Sequence, residues 1–393
     1  MKKGWEYKKL GEVCRKSNNI KWDDVPNDAS YRYIDLTSVD RSDLCIHNPQ
    51  YIKKDNAPSR AKQIIKAGDI IFATTRPTLR RVSLIDEKYD GDICSTGFCV
   101  LRPNVDVKSK LIFYALLEDG FYKYIEPLQT GANYPAVTDN IVKNYIIPIP
   151  PLSEQQSIVD YLDSAFAKID AMKANTEKAL NEAKALFQAS LKEMLEPKEG
   201  WEEKKLGEVG TFIRGGNFSK KDFVEDGYPC IHYGQIHTKF GVATYEHISC
   251  VPESIVKKER CASKGDLVIA ITSEDDEGSC KCTAWMADFD AYVGGHTAIF
   301  KHSLNPLFVS YYFKAARFQK DKLNYTHGFK VVEISPKDIA KIPICYPPAN
   351  EQQSIVTTLD SLKSKVDRLQ ANYEKISQEC DALKQAILRQ VFE

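Results

Sequence analysis

The chain has 393 residues, of which 43% are hydrophobic and 27% charged, and its 54 basic and 54 acidic side chains leave no net charge. This composition excludes an intrinsically disordered chain, and the length allows two or three domains that each bury a core. It also excludes nucleic-acid binding through overall charge, so any surface that binds phosphates must be local.

No targeting segment or membrane span is visible in the sequence. Residues 1–20 lack the apolar run of a signal peptide, and no later stretch reaches the ~18 apolar residues of a spanning helix. The 11 cysteines are odd in number and follow no framework spacing, which is typical of free thiols in a reducing compartment. We therefore expect a cytoplasmic protein without a membrane partner.

The sequence contains an internal repeat. Three blocks recur in the same order at an offset of about half the chain length: Gly4–Val13 as Gly200–Val209, Ala67–Thr74 as Lys264–Thr272, and Ile147–Val159 as Ile342–Val356. Between these blocks the two halves diverge. The pattern predicts one structural unit used twice, with a shared framework and different inserts.

Each half begins with about 150 residues whose pattern predicts an α+β domain. Turns rich in Gly, Pro, Asn and Asp separate short β-type runs and short helices. The predicted strands include Asp69–Ala73, Phe98–Leu101, Leu267–Ile271 and Thr297–Phe300, and the predicted helices include Leu111–Glu118.

Each half ends in a long predicted helix that follows a pair of prolines. Ser153 and Asn350 are good N-cap residues, and Gln156 and Gln353 stand three positions later, as in a capping box. Both helix starts are therefore predicted from local sequence.

The long helices carry apolar seams that predict a coiled coil. The seam of the second helix is Ile355, Leu359, Leu362, Val366, Leu369, Tyr373, Ile376, Cys380, Leu383 and Ile387. The seam of the first helix is Ile158, Leu162, Ala165, Ile169, Met172, Thr176, Ala179, Ala183, Leu186, Ser190 and Met194. Helices of roughly 60 Å are much longer than a domain radius of about 15 Å, so an antiparallel pair is expected, with the domains at its opposite ends and a pseudo-two-fold axis between them.

The duplicated sequence resembles the specificity subunits of type I restriction-modification systems over its whole length. The segments that carry the resemblance are the openings Gly4-Trp5-Glu6 and Gly200-Trp201-Glu202, the motifs Gly68-Asp69-Ile70 and Gly265-Asp266-Leu267, and the boundaries at residues 150–156 and 347–353; Gly294-Gly295-His296-Thr297 is a further similar stretch. The second boundary departs from the first by the insertion Cys345-Tyr346.

This resemblance implies a non-catalytic subunit that reads two DNA half-sites. Its expected partners are double-stranded DNA, two methyltransferase subunits and restriction subunits with translocase activity. The division that it implies is a first target recognition domain at 1–150, a central helix at 151–197, a second recognition domain at 198–348 and a C-terminal helix at 349–393.

Candidate DNA contacts lie in the loops. Arg76, Arg80 and Arg81 follow a strand, where guanidinium groups can reach phosphates or guanine edges. The other candidates combine amide, aromatic or basic side chains and are either DNA contacts or ordinary loop and core residues: Asn133, Tyr134, Arg214, Lys220, Lys221, Tyr233, Gln235, His327 and Lys330.

No catalytic residues, metal site or cofactor site are predicted. The sequence has neither a phosphate-binding P-loop nor a dinucleotide-binding glycine motif, and Asn305-Pro306-Leu307-Phe308 departs from the adenine-methyltransferase motif at its third position. The acidic run Glu274–Glu277 and the pair Cys280 and Cys282 are weak indications of a metal. Two alternatives remain open: an architectural DNA-binding protein without methyltransferase partners, and a fused restriction enzyme with its own catalytic activity.

Overall fold

The computed structural model of the protein describes residues 4–328 and 331–393. By its internal contacts the chain divides into two compact units, one of Met1–Glu177 with Tyr373–Glu393 and the other of Lys178–Asn372. Each unit therefore contains one globular domain together with parts of two long helices.

The described residues of the first unit, from Gly4 onward, form three small sheets, and the strand that opens the domain pairs with the strand that closes it. The strands are β1 Glu6–Lys9, β2 Cys14–Arg15, β3 Asn18–Asn19, β4 Tyr31–Ile34, β5 Gln50–Ile52, β6 Ala61–Ile64, β7 Ile70–Ala73, β8 Val82–Leu84, β9 Ile93–Ser95, β10 Phe98–Pro103 and β11 Ile146–Ile149. The helices are α1 Ser109–Ala115, α2 Asp119–Ile125, α3 Asp139–Lys143 and the long α4 Leu152–Met194. The sheet orders are β1-β11, β2-β10-β7-β8 and β3-β6-β9-β4-β5.

The second unit has a similar arrangement, with different strand lengths and different sheet orders. The strands are β12 Glu202–Lys205, β13 Gly210–Arg214, β14 Tyr228–Ile231, β15 Ala243–Thr244, β16 Cys250–Val251, β17 Cys261–Ala262, β18 Leu267–Ala270, β19 Thr272–Ser273, β20 Cys282–Trp285, β21 Ala291–Val293, β22 Thr297–His302, β23 Val332–Glu333 and β24 Pro343–Tyr346. The helices are α5 Leu206–Val209, α6 Tyr233–Thr238, α7 Pro306–Tyr312, α8 Ala316–Asp321, α9 Pro336–Ile339 and the long α10 Ala349–Phe392. The sheet orders are β12-β24, β13-β22-β18-β20-β15, β16-β14-β21-β17 and β19-β23.

The two domains share one framework. In each, a strand that is buried at every position pairs antiparallel with both of its neighbours: β7 lies between β10 and β8, and β18 lies between β22 and β20. A parallel pair, β4 with β9 or β14 with β21, forms part of a second sheet in each. The predicted α+β class and the duplication are confirmed.

The long helices each begin two residues earlier than the capping pattern predicted. The backbone N–H of Glu154 donates to Pro151 O at 2.8 Å, so Ser153 lies inside the first turn and the predicted caps at Ser153 and Asn350 are wrong. Gln156 does not reach back to a cap and instead donates to Asp160 at 2.8 Å.

The neighbouring glutamines fix the helix starts by a different contact. The buried Gln155 accepts from the backbone N–H of Lys108 at 2.8 Å and donates to Pro150 O at 3.1 Å. Gln352 accepts from the Asn305 N–H at 2.8 Å and donates to Pro347 O at 2.8 Å. A buried amide that satisfies backbone groups on both sides holds the helix against its own domain.

Within each unit the two helix segments run antiparallel. In the first, Lys384 contacts Asp170 and the Cys380 thiol lies 3.9 Å from Ile169 O, while Lys173 Nζ lies 3.6 Å from Asp381. In the second, Lys184 donates to Gln370 at 2.8 Å. The antiparallel direction predicted for the pair is confirmed within each unit.

The apolar seams differ in part from the prediction. Met172, Leu186 and Leu383 were assigned to the seams but are about half exposed. Side chains outside the predicted seams are buried instead, because they pack into the domain cores as well as against the other helix: Phe166, Leu388 and Phe392 in the first unit, and Phe187 and Leu191 in the second.

Candidate nucleic-acid interface

Two loops of the first domain form one exposed surface, which we call the first loop pair: residues 74–81, which follow β7, and residues 130–136. Thr75 and Thr130 each form a β-bridge with Ala136. The Arg76 guanidinium lies over the Tyr134 ring, 4.9 Å from its centroid, and both side chains are exposed. The sequence predicted these two residues separately, and the fold brings them together with the exposed Asn133.

Two arginines of this loop have a left-handed backbone. Arg76 has φ +49° and Arg80 has φ +56°, on either side of the turn at Pro77–Leu79. This conformation costs a non-glycine residue roughly 1–2 kcal/mol, so other contacts must hold it. The N–H of Arg76 donates to Pro135 O at 2.7 Å, which ties one loop of the pair to the other.

Arg80 and Arg81 are less available than Arg76. The Arg80 guanidinium pairs with Asp119 at 2.7 Å and lies 4.2 Å from the Tyr122 ring centroid, so it connects the loop to α2. Arg81 is half-buried, and its carbonyl accepts from the Ala73 N–H at 2.9 Å. Among the three predicted arginines, Arg76 is the one whose position best suits contact with a ligand.

The second domain has a corresponding surface, the second loop pair, of residues 272–281 with 325–328 and 331–333. β19 pairs with β23, and His327 exchanges backbone hydrogen bonds with Glu333 at 2.9 and 2.8 Å. Of the two candidate contacts in this region, His327 is exposed, and Lys330 lies outside the described residues. In place of arginines this loop carries the exposed acidic run Glu274–Glu277.

A buried lysine supports the acidic loop. Lys322 is 1% exposed, and its ammonium group donates to Ser279 O at 2.7 Å. Burial lowers the pKa of Lys322, while nearby groups that include Cys280 and the carboxylates of Asp275, Asp276 and Glu277 oppose the shift. This side chain was not among the predicted functional residues, since a single lysine in a helical turn carries no local signal.

The remaining predicted residues of the second domain lie in or beside a pocket, except for Gln235, which is partly buried in a network of hydrogen bonds. Arg214, Lys220 and Tyr233 line a pocket of about 740 Å³, and Lys221 is exposed beside it. Gln235 is structural, because it accepts from the His232 N–H at 2.9 Å and donates to Ser249 at 2.7 Å. Sequence reasoning missed Arg260 and His296, which line the same pocket.

The weak enzyme and metal motifs have structural roles. Asn305 caps α7 by accepting from the N–H groups of Leu307 and Phe308 at 3.0 and 3.2 Å, and Phe308 is fully buried. The thiols of Cys280 and Cys282 are buried, which raises their pKa values to about 12 and 11. Within residues 4–328 and 331–393, no three His, Cys, Asp or Glu side chains are grouped closely enough to hold a metal ion.

The long helices are too polar to cross a bilayer. No helix in the described part of the chain combines the length and the apolar character of a membrane span.

Comparison with protein families gives two matches along the chain. The model described as type I restriction modification DNA specificity domain matches residues 2–182 and again residues 198–378. The type I restriction enzyme MjaVIII specificity subunit of Methanocaldococcus jannaschii is 27% identical over 308 residues, which cover 73% of this chain and 71% of that protein. The EcoKI specificity subunit of Escherichia coli is 26% identical over 48% of this chain and 42% of its own length.

Two solved structures resemble the whole chain. One, from work on the assembly and conformational transition of a type I restriction-modification system, has a TM-score of 0.82 and 29% identity and covers 98% of this chain and 97% of its own. The HsdS subunit from Thermoanaerobacter tengcongensis has a TM-score of 0.64 and 28% identity, covering 100% of this chain and 97% of its own.

Proposed function

The chain belongs to the family of type I restriction-modification DNA specificity subunits, which recognise DNA sequence and are not catalytic, and on that premise we propose that it reads an asymmetric, bipartite site. Each domain reads one half-site. The observation that carries this proposal is that the two domains share a framework but present loop pairs of different sequence and charge at the same place in it.

The asymmetry of the site follows from the loops. Arg76 offers a bidentate donor, which suits the acceptors N7 and O6 of guanine, whereas carboxylates accept from the amino group of cytosine. The first loop pair carries the arginine and the second carries the acidic run Glu274–Glu277. Two readers with such different donors and acceptors select different bases.

We further propose that the chain acts as a scaffold in the cytoplasm. Its partners are double-stranded DNA, two methyltransferase subunits and restriction subunits with translocase activity, and two similar domains supply two similar docking surfaces. We retain the functional division into recognition domains at 1–150 and 198–348 and helices at 151–197 and 349–393.

The proposal is tested by co-expressing the chain with its methyltransferase subunits and mapping methylated adenines in the host genome. We expect one motif made of two different half-sites separated by a spacer of unspecified sequence. The chain expressed alone should methylate no DNA. A single uninterrupted motif, or methylation by the isolated chain, would contradict the proposal.

A further inference from the structure

The second domain contains a concave pocket that adjoins the second loop pair. The pocket has a volume of about 740 Å³, and all of its lining residues belong to the second unit. It is built where two glycine-rich turns touch: a Cβ added to Gly215 would lie 1.9 Å from Gly294 O, and one added to Gly216 would lie 1.8 Å from the Tyr292 hydroxyl oxygen. The contact of the two turns therefore requires glycine at position 215, and the buried Tyr292 side chain leaves no room for a side chain at position 216.

Three basic side chains line this pocket, namely Arg214, Lys220 and Arg260. Arg260 donates to Gly215 O at 2.9 Å, and Arg214 lies 3.3 Å from Glu333 of the second loop pair. The lining, all of it within the described residues, includes no aspartate or glutamate. The positive charge of the pocket is thus only partly neutralised, although the chain as a whole has no net charge.

Aromatic and polar side chains form the rest of the wall. The Tyr233 ring lies 4.5 Å from that of His232 and 5.2 Å from that of His296. His296 is in turn connected to the second loop pair, since its Nδ1 lies 3.1 Å from the Thr272 hydroxyl. A group bound in the pocket is therefore held beside the loop that is expected to contact base edges.

The acidic character of that loop explains why the domain needs cations elsewhere. The first loop pair brings Arg76 to its exposed surface, but the second presents Glu274–Glu277, which repel phosphates. A domain that binds DNA still needs cations for the phosphate backbone, because phosphate contacts provide much of the affinity and fix the register of the protein on the duplex.

We propose that this pocket binds one backbone phosphodiester of the DNA at the second half-site, with Lys220 and Arg260 as its principal cations. The inference rests on the proposed function, because it presumes that the second domain binds DNA. The phosphate anchors the strand, and the acidic loop beside it is thereby placed at the bases. Lys220 is exposed at the pocket and can reach an incoming phosphate without unfolding any element.

The test compares Lys220→Gln with Lys320→Gln in the full chain bound to its methyltransferase subunits. Lys320 is also exposed and lies in the same domain, but it does not line the pocket. Affinity is measured at several salt concentrations, on the mapped target duplex and on a duplex of random sequence. For Lys220→Gln we expect the negative slope of log K against log salt to become shallower by about 0.9 on both duplexes. The slope of Lys320→Gln should equal that of the wild type.

A second measurement locates the phosphate. Uncharged methylphosphonates replace the phosphates of the second half-site one at a time. The wild-type complex should lose affinity at the position that the pocket holds, and Lys220→Gln should lose less than the wild type there, because only Arg260 still contacts that phosphate. Additive losses at every position would overturn the assignment.

Calorimetry of the full chain with inorganic phosphate tests whether the pocket binds a phosphate of DNA or a free phosphate ion. We expect no saturable binding at concentrations where DNA binds, whereas tight binding would show a site for small anions and overturn the proposal. An unchanged salt slope together with a bipartite methylation map would refute the pocket and leave the proposed function intact. A shallower salt slope together with an uninterrupted methylation motif would support the phosphate pocket and refute the proposed bipartite site.

Discussion

The first and second loop pairs occupy the same place in a duplicated framework and differ most in charge. The first presents Arg76 against the Tyr134 ring, and its backbone is left-handed at two arginines, Arg76 and Arg80. The second presents the acidic run Glu274–Glu277, and the buried Lys322 stabilises this loop by donating to Ser279 O. The comparison indicates that the two halves share their central strands and helix starts, whereas their loops differ in charge and in the side chains that stabilise them.

The largest effect is expected at the support of the second loop pair. Lys322→Ala removes a buried side chain and leaves Ser279 O without its donor, so it should lower the free energy of unfolding by about 2–4 kcal/mol. The measurement is urea denaturation, with exposed Lys320→Ala as the control, for which a change within about 0.5 kcal/mol is expected. An equal effect of both variants would contradict a supporting role for Lys322.

The lowered pKa of Lys322 adds a dependence on pH to the same comparison. Between its folded pKa and the ordinary value of 10.5, the unfolded chain binds more protons than the folded chain, so this group makes the protein more stable as pH rises. Lys322→Met keeps an unbranched side chain that is one atom shorter and cannot titrate. The stability difference between wild type and Lys322→Met should therefore shift in favour of the wild type as pH rises toward 10.5, and a constant difference would contradict a titrating Lys322.

A smaller effect is expected at the tip of the first loop pair. If Arg76 pairs with guanine, Arg76→Ala should reduce the discrimination between bases at one position of the first half-site by roughly 1–3 kcal/mol. The base preferences of the second half-site should stay unchanged. Arg80→Ala serves as the comparison, since Arg80 is paired with Asp119 and should affect stability more than base choice. Competition binding with single-base variants of the target measures both. Equal relaxation of the two half-sites would count against separate readers.

The smallest effect concerns the left-handed backbone at Arg76. Arg76→Gly and Arg76→Ala both remove the guanidinium, but glycine adopts φ +49° without steric cost. Arg76→Gly should therefore be more stable than Arg76→Ala by about 1 kcal/mol in the same denaturation experiment. Equal stabilities would mean that the loop changes conformation when the arginine is lost.

Much of the framework was predictable from sequence, because its signals are local or repeated. The buried strands β7 and β18 and the two long helices were found from short apolar runs, proline pairs and recurring blocks. The helix caps were predicted wrongly, since the decisive hydrogen bonds of Gln155 and Gln352 reach backbone groups about 47 residues away. The exposure of Leu383 was missed because the same helix also packs into the core of the first domain, through Leu388 and Phe392, and the heptad pattern does not include this contact.

The candidate interface was less predictable for the same reason. Arg76 and Tyr134 were identified singly, but only the bridges to Ala136 bring their loops together. Arg260 gave no local signal, and His296 was noted only within the similar stretch Gly294–Thr297. The two residues line one pocket because the turns that precede β17 and follow β21 meet near Gly215. Contacts between residues distant in sequence are set by strand pairing, which the local pattern does not specify.

The independence of the two readers is tested most directly by mapping methylated adenines for two variants side by side, Arg76→Ala and Glu274→Gln, each with the methyltransferase subunits. The account predicts that Arg76→Ala broadens the bases accepted in one half-site only, that Glu274→Gln broadens the other only, and that the spacer keeps its length in both. Broadening of the same half-site by both variants, or of both half-sites by either one, would contradict it.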